Sequence, residues 1–131
     1  MKLFSFFISI IFLLSIPKAF AQHEALWMRY PAISPDGTTI VFCYKGDLFT
    51  VDSKGGKATQ LTTNPAYDTQ PIWSPDGKSI AFASDRAGGL DVYIMPATGG
   101  SPTRLTFHSN SEIPVRFTPD GKSIIYRATI L

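Results

Sequence analysis

The chain has 131 residues, 44% of them hydrophobic and 17% charged, with 12 basic residues, 10 acidic residues and one cysteine. A single cysteine excludes an internal disulfide. Lys2 and Lys18 both fall in the amino-terminal segment discussed next; without them ten bases balance ten acids, and charge lends no support to nucleic-acid binding.

Residues 1–21 have the layout of a secretory signal peptide. Met1-Lys2 gives a positive start, and Leu3 to Ile16 is apolar apart from three serines. Pro17-Lys18 then breaks the run, and Ala19-Phe20-Ala21 places small residues where a signal peptidase needs them. The other reading, a membrane anchor, meets an apolar run shorter than the roughly 20 residues a span requires. The expectation is cleavage after Ala21 and an exported protein, periplasmic or extracellular, that is soluble once the signal is gone. Residues 22–28 form a short lead-in.

From residue 29 onward the sequence repeats. Ser34-Pro35-Asp36-Gly37, Ser74-Pro75-Asp76-Gly77 and Thr118-Pro119-Asp120-Gly121 are three copies of one turn, with prolines 40 and then 44 residues apart. At the same offset each is followed by an apolar stretch: Ile40-Val41-Phe42, Ile80-Ala81-Phe82 and Ile124-Ile125-Tyr126. Proline presets φ for the first central position of a type I turn, aspartate suits the second, and glycine takes the left-handed position that restores strand pairing. The Ser or Thr hydroxyl can bond to the turn's backbone.

Overlaying the units predicts four strands in each. The first unit, residues 29–62, has strands over Arg29–Ser34, Thr38–Tyr44, Asp47–Asp52 and Lys57–Thr62. The second, residues 70–106, has them over Gln70–Ser74, Lys78–Ser84, Asp91–Pro96 and Pro102–Thr106. The third, residues 113–131, reaches only Ile113–Thr118 and Lys122–Ala128. Asp47-Leu48-Phe49 maps onto Asp91-Val92-Tyr93 at an offset of 44, as do Gly55-Gly56 onto Gly99-Gly100 and Leu61-Thr62 onto Leu105-Thr106. The extra residues of the second unit fall in the surface loop 84–90, where a repeat tolerates insertion. No stretch after Gln22 has helical periodicity.

A period of about 40–45 residues with several short strands per unit is the mark of a propeller blade. The fold class is therefore all-β, with two full four-stranded blades plus half of a third. Ile80, Phe82 and Ser84 should face one neighbour, with Ser79, Ala81 and Ala83 facing the other. Ile33, Trp73 and Phe117, each one residue before a turn, should pack between blades. Propellers close with roughly 4–8 blades, so the expectation is that this sequence is the amino-terminal piece of a longer protein. The alternative is a short product that completes a ring as a homo-oligomer.

No residue has catalytic context. The mature chain carries only His23 and His108, neither beside a nucleophile and an orienting acid, and there is no Gly-x-Ser-x-Gly elbow. No metal site is expected, because Asp47, Asp68, Asp85 and Asp91 are dispersed without ligand spacing. No cofactor site is expected, because no glycine cluster opens a helix. Asp47 and Asp91 recur before the third strand, which points to hydrogen bonding with loop backbone or to pairing with a neighbour such as Arg86. Cys43, between Phe42 and Tyr44, reads as a buried inert thiol. Tyr67, Asp68, Arg86, Phe107 and His108 lie in loops at the propeller faces and are the candidates for weak peptide contact, although bare surface loops have much the same composition.

Two stretches carry a family resemblance. Residues 73–86, Trp-Ser-Pro-Asp-Gly-Lys-Ser-Ile-Ala-Phe-Ala-Ser-Asp-Arg, with Asp91-Val92-Tyr93-Ile94-Met95 and Arg104-Leu105-Thr106, resemble the TolB-like propeller repeat. That repeat is shared by the Tol–Pal system protein, the tricorn protease family and the propellers of prolyl-oligopeptidase-type enzymes. The opening, Leu26-Trp27-Met28-Arg29-Tyr30-Pro31, leads directly into the first blade. It resembles the start of exported, tricorn-like serine peptidases of the Bacteroidetes type, whereas a TolB protein places a separate α/β domain ahead of its blades. Residues 104–109 with Glu112-Ile113-Pro114 are similar to the second-to-third blade junction of those peptidases.

The resemblance implies a substrate-filtering propeller handling peptides or unfolded proteins, followed by downstream PDZ and serine-peptidase domains. All catalytic groups would lie beyond Leu131. Two other readings stay open: a non-enzymatic TolB-like periplasmic binding or scaffold propeller, and the propeller of a prolyl-oligopeptidase-type hydrolase.

Overall fold

The computed structural model describes residues 27–129. The expected signal segment 1–21, residues 22–26 of the lead-in and the last two residues lie outside that range. The described residues contain ten strands and no helix: β1 (Arg29–Ile33), β2 (Thr39–Tyr44), β3 (Asp47–Asp52), β4 (Thr59–Gln60), β5 (Asp68–Trp73), β6 (Ser79–Ser84), β7 (Asp91–Pro96), β8 (Thr103–Arg104), β9 (Glu112–Phe117) and β10 (Ile124–Ala128). They form two four-stranded antiparallel meanders, β1-β2-β3-β4 and β5-β6-β7-β8, and a two-stranded sheet β9-β10. These are the two full blades and the half blade read from the repeat. The inner strands β1, β5 and β9 lie side by side.

Each blade-opening turn is built as its composition requires. Gly37, Gly77 and Gly121 have φ of 74°, 69° and 70°, the left-handed region where a Cβ would be strained. Their N–H groups donate to the carbonyls of Ser34, Ser74 and Thr118 at 2.8, 2.9 and 2.8 Å. The Ser74 and Thr118 hydroxyls donate to Asp76 and Asp120 Oδ1, both at 2.6 Å, and Ser34 does the same to Asp36. In return those hydroxyls accept from the backbone N–H of Thr39, Ser79 and Ser123. These bonds hold the carboxyls of Asp36, Asp76 and Asp120 below the usual carboxylate range, with the Ser or Thr hydroxyl the largest cause in each.

The core lies between blades. Val41, Cys43 and Leu48 of the first blade pack against Ile80, Phe82, Tyr93 and Met95 of the second. Ala81 and Ala83, which the repeat aligns with Val41 and Cys43, point to the opposite side of β6 and are also fully buried. Small side chains there allow the third blade to approach, as expected from the alternation. Phe42 stacks on Phe49 at 5.9 Å and Phe82 on Tyr93 at 6.0 Å, the same cross-strand pair in two blades. Burial pushes the Cys43 thiol up to about 11.

Three expectations need adjustment. The outermost strands shrink to two residues; Leu61 and Leu105 still donate to the Leu48 and Val92 carbonyls at 2.8 Å, but beyond them the ladder gives way to side-chain bonds. Thr62 and Thr106 turn their hydroxyls back to accept from the N–H of Leu48 and Val92, both at 2.9 Å. The inner strands β5 and β9 begin earlier than expected, at Asp68 and Glu112, because their first N–H groups donate to Gly46 and Leu90 of the preceding blade at 2.8 and 2.6 Å. Trp73 packs on the neighbouring blade, with its indole N–H bonded to the Ala32 carbonyl at 3.0 Å, and Phe117 is partly buried. Ile33 is 58% exposed, since no blade precedes it among the described residues.

Candidate functional site

The meander topology sorts the connections onto two ends of the wedge. The Pro-Asp-Gly turns and the Gly-Gly loops lie at one end. The β2–β3 and β6–β7 loops and the links between blades (Leu61–Tyr67 and Leu105–Ser111) lie at the other, the link face. All of the candidate contact residues fall on the link face. Tyr67 and His108 are exposed, and Phe107 is 70% exposed.

Arg86 is placed differently. Its Nη2 lies 2.7 Å from Oδ2 of the fully buried Asp68, and its Nε donates to Ser84 Oγ at 3.0 Å. The guanidinium also sits 5.6 Å from the rings of both Phe82 and Tyr93. A planar fork can satisfy a buried carboxylate and cover two aromatic faces together, which a lysine could not do. Asp85 next to it accepts from the Tyr67 N–H at 2.7 Å, so the loop carrying Arg86 also positions Tyr67.

The recurring aspartates do not pair with Arg86. Asp91, buried, has Arg104 Nη2 2.9 Å from its Oδ2, and its Oδ1 has no hydrogen-bond partner among the described residues. Asp47 accepts from Gln60 Nε2 at 3.0 Å and from the Thr62 hydroxyl at 3.3 Å. Asp47 is half-exposed and served by neutral donors, whereas Asp91 is enclosed and takes a cation. Arg104 also lies over the Phe107 ring at 4.7 Å, holding that exposed aromatic outward. His108 is exposed in the same link as Phe107, and no hydrogen bond or ion pair of its side chain is found among the described residues.

The inner wall carries a feature the repeat did not announce. Tyr30 and Gln70 both have φ of 52°, at bulges in β1 and β5 where the pairing with β2 and β6 slips. Non-glycine residues rarely take this conformation, and such strain persists where the surroundings over-determine it. The third blade cannot copy it, because Pro114 stands 44 residues after Gln70 and its ring locks φ negative. Its bulge falls instead at Val115. Tyr30, Gln70, Val115 and Arg127 line a cavity of about 380 Å³ beside the inner strands, where Arg127 Nη2 donates to Gln70 Oε1 at 3.2 Å. Among the described residues no group of three His, Cys, Asp or Glu side chains is arranged to hold a metal ion.

Repeated four-stranded wedges with adjacent inner strands define a β-propeller. Residues 25–130 match the tricorn protease N-terminal β-propeller domain. The chain belongs to that family. It is also similar to solved structures of TolB from Agrobacterium tumefaciens (28% identity, TM-score 0.68, covering 76% of this chain and 37% of that one). A second TolB, from Acinetobacter baumannii, is 30% identical with TM-score 0.65, covering 74% of this chain and 25% of that one. The tricorn protease is 26% identical with TM-score 0.63, covering 72% of this chain and 10% of that one. Among curated proteins, the Tol-Pal system protein TolB of Bordetella pertussis is 43% identical over 47 residues, 35% of this chain and 11% of that protein. The chain thus spans a small part of each relative's length.

Proposed function

We propose that the chain is part of the substrate-filtering propeller of an exported tricorn-like serine peptidase. The observation that carries this reading is the tricorn amino-terminal family match across residues 25–130, almost the whole chain beyond the signal-like segment. The alignment with the curated TolB of Bordetella pertussis spans 47 residues. The layout of residues 1–21 supports export, with cleavage after Ala21. In this reading the chain's part is to admit and orient extended polypeptide by exposed aromatic groups on the link face, chiefly Tyr67 and Phe107, with His108 in the same link as Phe107 and Arg86 bracing the loop that positions Tyr67. Catalysis and PDZ-type recognition belong to other parts of the same protein.

The test is to produce the protein from its native gene and incubate it with unfolded polypeptide. Cleavage that stops on labelling with a serine-directed phosphonate is expected. No cleavage and no labelling would overturn the reading in favour of a non-enzymatic TolB-like scaffold, which the structural likeness to two TolB proteins otherwise favours.

A further inference from the structure

The cations of the link face fall into two groups. In the second blade Arg86 and Arg104 each meet a buried carboxylate, Asp68 and Asp91. In the first blade Arg29 and Lys45 have no carboxylate within salt-bridge reach among the described residues. Instead both line one notch of about 330 Å³, walled by Trp27 and Tyr67 and closed by Cys43 and Gly46. Trp27 is 73% exposed and Tyr67 45% exposed. No acidic side chain lines the notch.

Its walls are held in place. Arg29 stacks over the Trp27 ring at 5.4 Å, and Lys45 Nζ lies 5.4 Å from the ring of Tyr44. Trp27 and Lys45 have φ of 81° and 53°, both in the left-handed region unfavourable to side chains. Gly46 is required at its position, since a Cβ there would come 3.2 Å from the Tyr67 ring with φ already at 89°. Tyr67 is tied from the other side by its N–H bond to Asp85. Two cations with no acidic partner among the described residues, lining one notch with two exposed aromatic rings, select a negatively charged planar group carried on a partly apolar chain.

We propose that this notch binds the side-chain carboxylate of an acidic peptide, so that the first blade selects Glu- or Asp-bearing segments. The inference rests on the peptide-handling reading above, and binding is measured without cleavage so that the two fail separately. The carboxylate accepts charge-assisted hydrogen bonds from Arg29 and Lys45, and the adjoining methylenes lie against Trp27 and Tyr67.

The full-length protein is titrated calorimetrically with a Glu-containing peptide blocked at both ends, with its Gln counterpart similarly blocked, and with the Gln peptide bearing a free carboxyl terminus. The expected result is about tenfold tighter binding of the blocked Glu peptide than of either Gln peptide. Arg29→Gln and Lys45→Gln each remove that preference, and Lys45→Arg retains it. Equal binding of the blocked Glu and Gln peptides overturns the proposal, as does equally tight binding of the free-terminus Gln peptide, which would mark a terminal-carboxylate site. A Glu preference that survives both Gln substitutions also overturns it, since it would place the site elsewhere. Hydrolysis of neutral unfolded polypeptide, assayed in parallel, tests the peptidase reading by itself.

Discussion

Trp73 Nε1 donates a 3.0 Å hydrogen bond to the carbonyl of Ala32, a residue 41 positions earlier in the neighbouring blade. The indole packs on the inter-blade core that contains Leu48, Ile80 and Met95. One side chain thus ties two sheets that share no backbone ladder. Trp73→Phe keeps most of the apolar contact and removes the donor. The expected cost is about 1 kcal/mol, read from the midpoint of chemical denaturation. A midpoint equal to wild type would mean that the bond contributes nothing.

Arg86 and Asp68 form the most enclosed ion pair of the link face, with side-chain exposures of 16% and 0%. Removing the cation alone strands a carboxylate in the core. Arg86→Met should destabilise the propeller by about 3 kcal/mol, whereas adding Asp68→Leu to it should recover most of that loss. Denaturation of the two single variants and the double variant supplies the cycle. Additive losses would show that the pair is not coupled.

The three turn aspartates give a pH signature. Their folded-state values lie below the ordinary 3.8, so their contribution is present above 3.8 and is lost as pH falls through the lower folded values. Comparing melting temperature against pH for the wild type and for Asp36→Asn/Asp76→Asn/Asp120→Asn should show the wild type ahead near neutrality. The gap should close in acid below 3.8. A gap that widens in acid would reverse the sign.

Cys43 is buried, and its thiol is pushed up to about 11. At about pH 8 the thiolate is scarce and enclosed, so alkylation by iodoacetamide should be slow in the folded protein and complete once it is denatured. Mass spectrometry of the modified fraction decides. Rapid labelling under native conditions would mean that the inter-blade core opens readily.

Much of the fold was legible because the repeat is written twice and a half. The turn tetrapeptides fix the β1–β2, β5–β6 and β9–β10 connections, and the offset of 44 carries Phe49 onto Tyr93 and Thr62 onto Thr106. Departures arise where a residue serves the next blade instead of its own. Asp68 and Glu112 start their strands early because their backbones bond across the blade boundary, which no pattern within a unit encodes.

The partner of Asp91 was missed for a related reason. Arg104 reaches it from the neighbouring strand β8, where it pairs with Tyr93 two residues further along, while Arg86, nearer in sequence, is drawn to Asp68. The bulges at Tyr30 and Gln70 leave a weak trace, a proline following each in both units. The notch in the first blade had a signal as well. Trp27 stands 40 residues before Tyr67, the same offset as the first two turns, and this places both aromatics at one structural position.

The most direct test of a polypeptide-handling link face is steady-state kinetics of the full-length protein with Tyr67→Ala and Phe107→Ala combined. Phe107 is 70% and Tyr67 45% exposed and neither belongs to the inter-blade core, so circular dichroism should be unchanged. With a long unfolded polypeptide as substrate, kcat/KM is expected to fall about tenfold, and with a blocked tripeptide it should stay at the wild-type value. Wild-type turnover of the long substrate by the double variant would contradict the assignment.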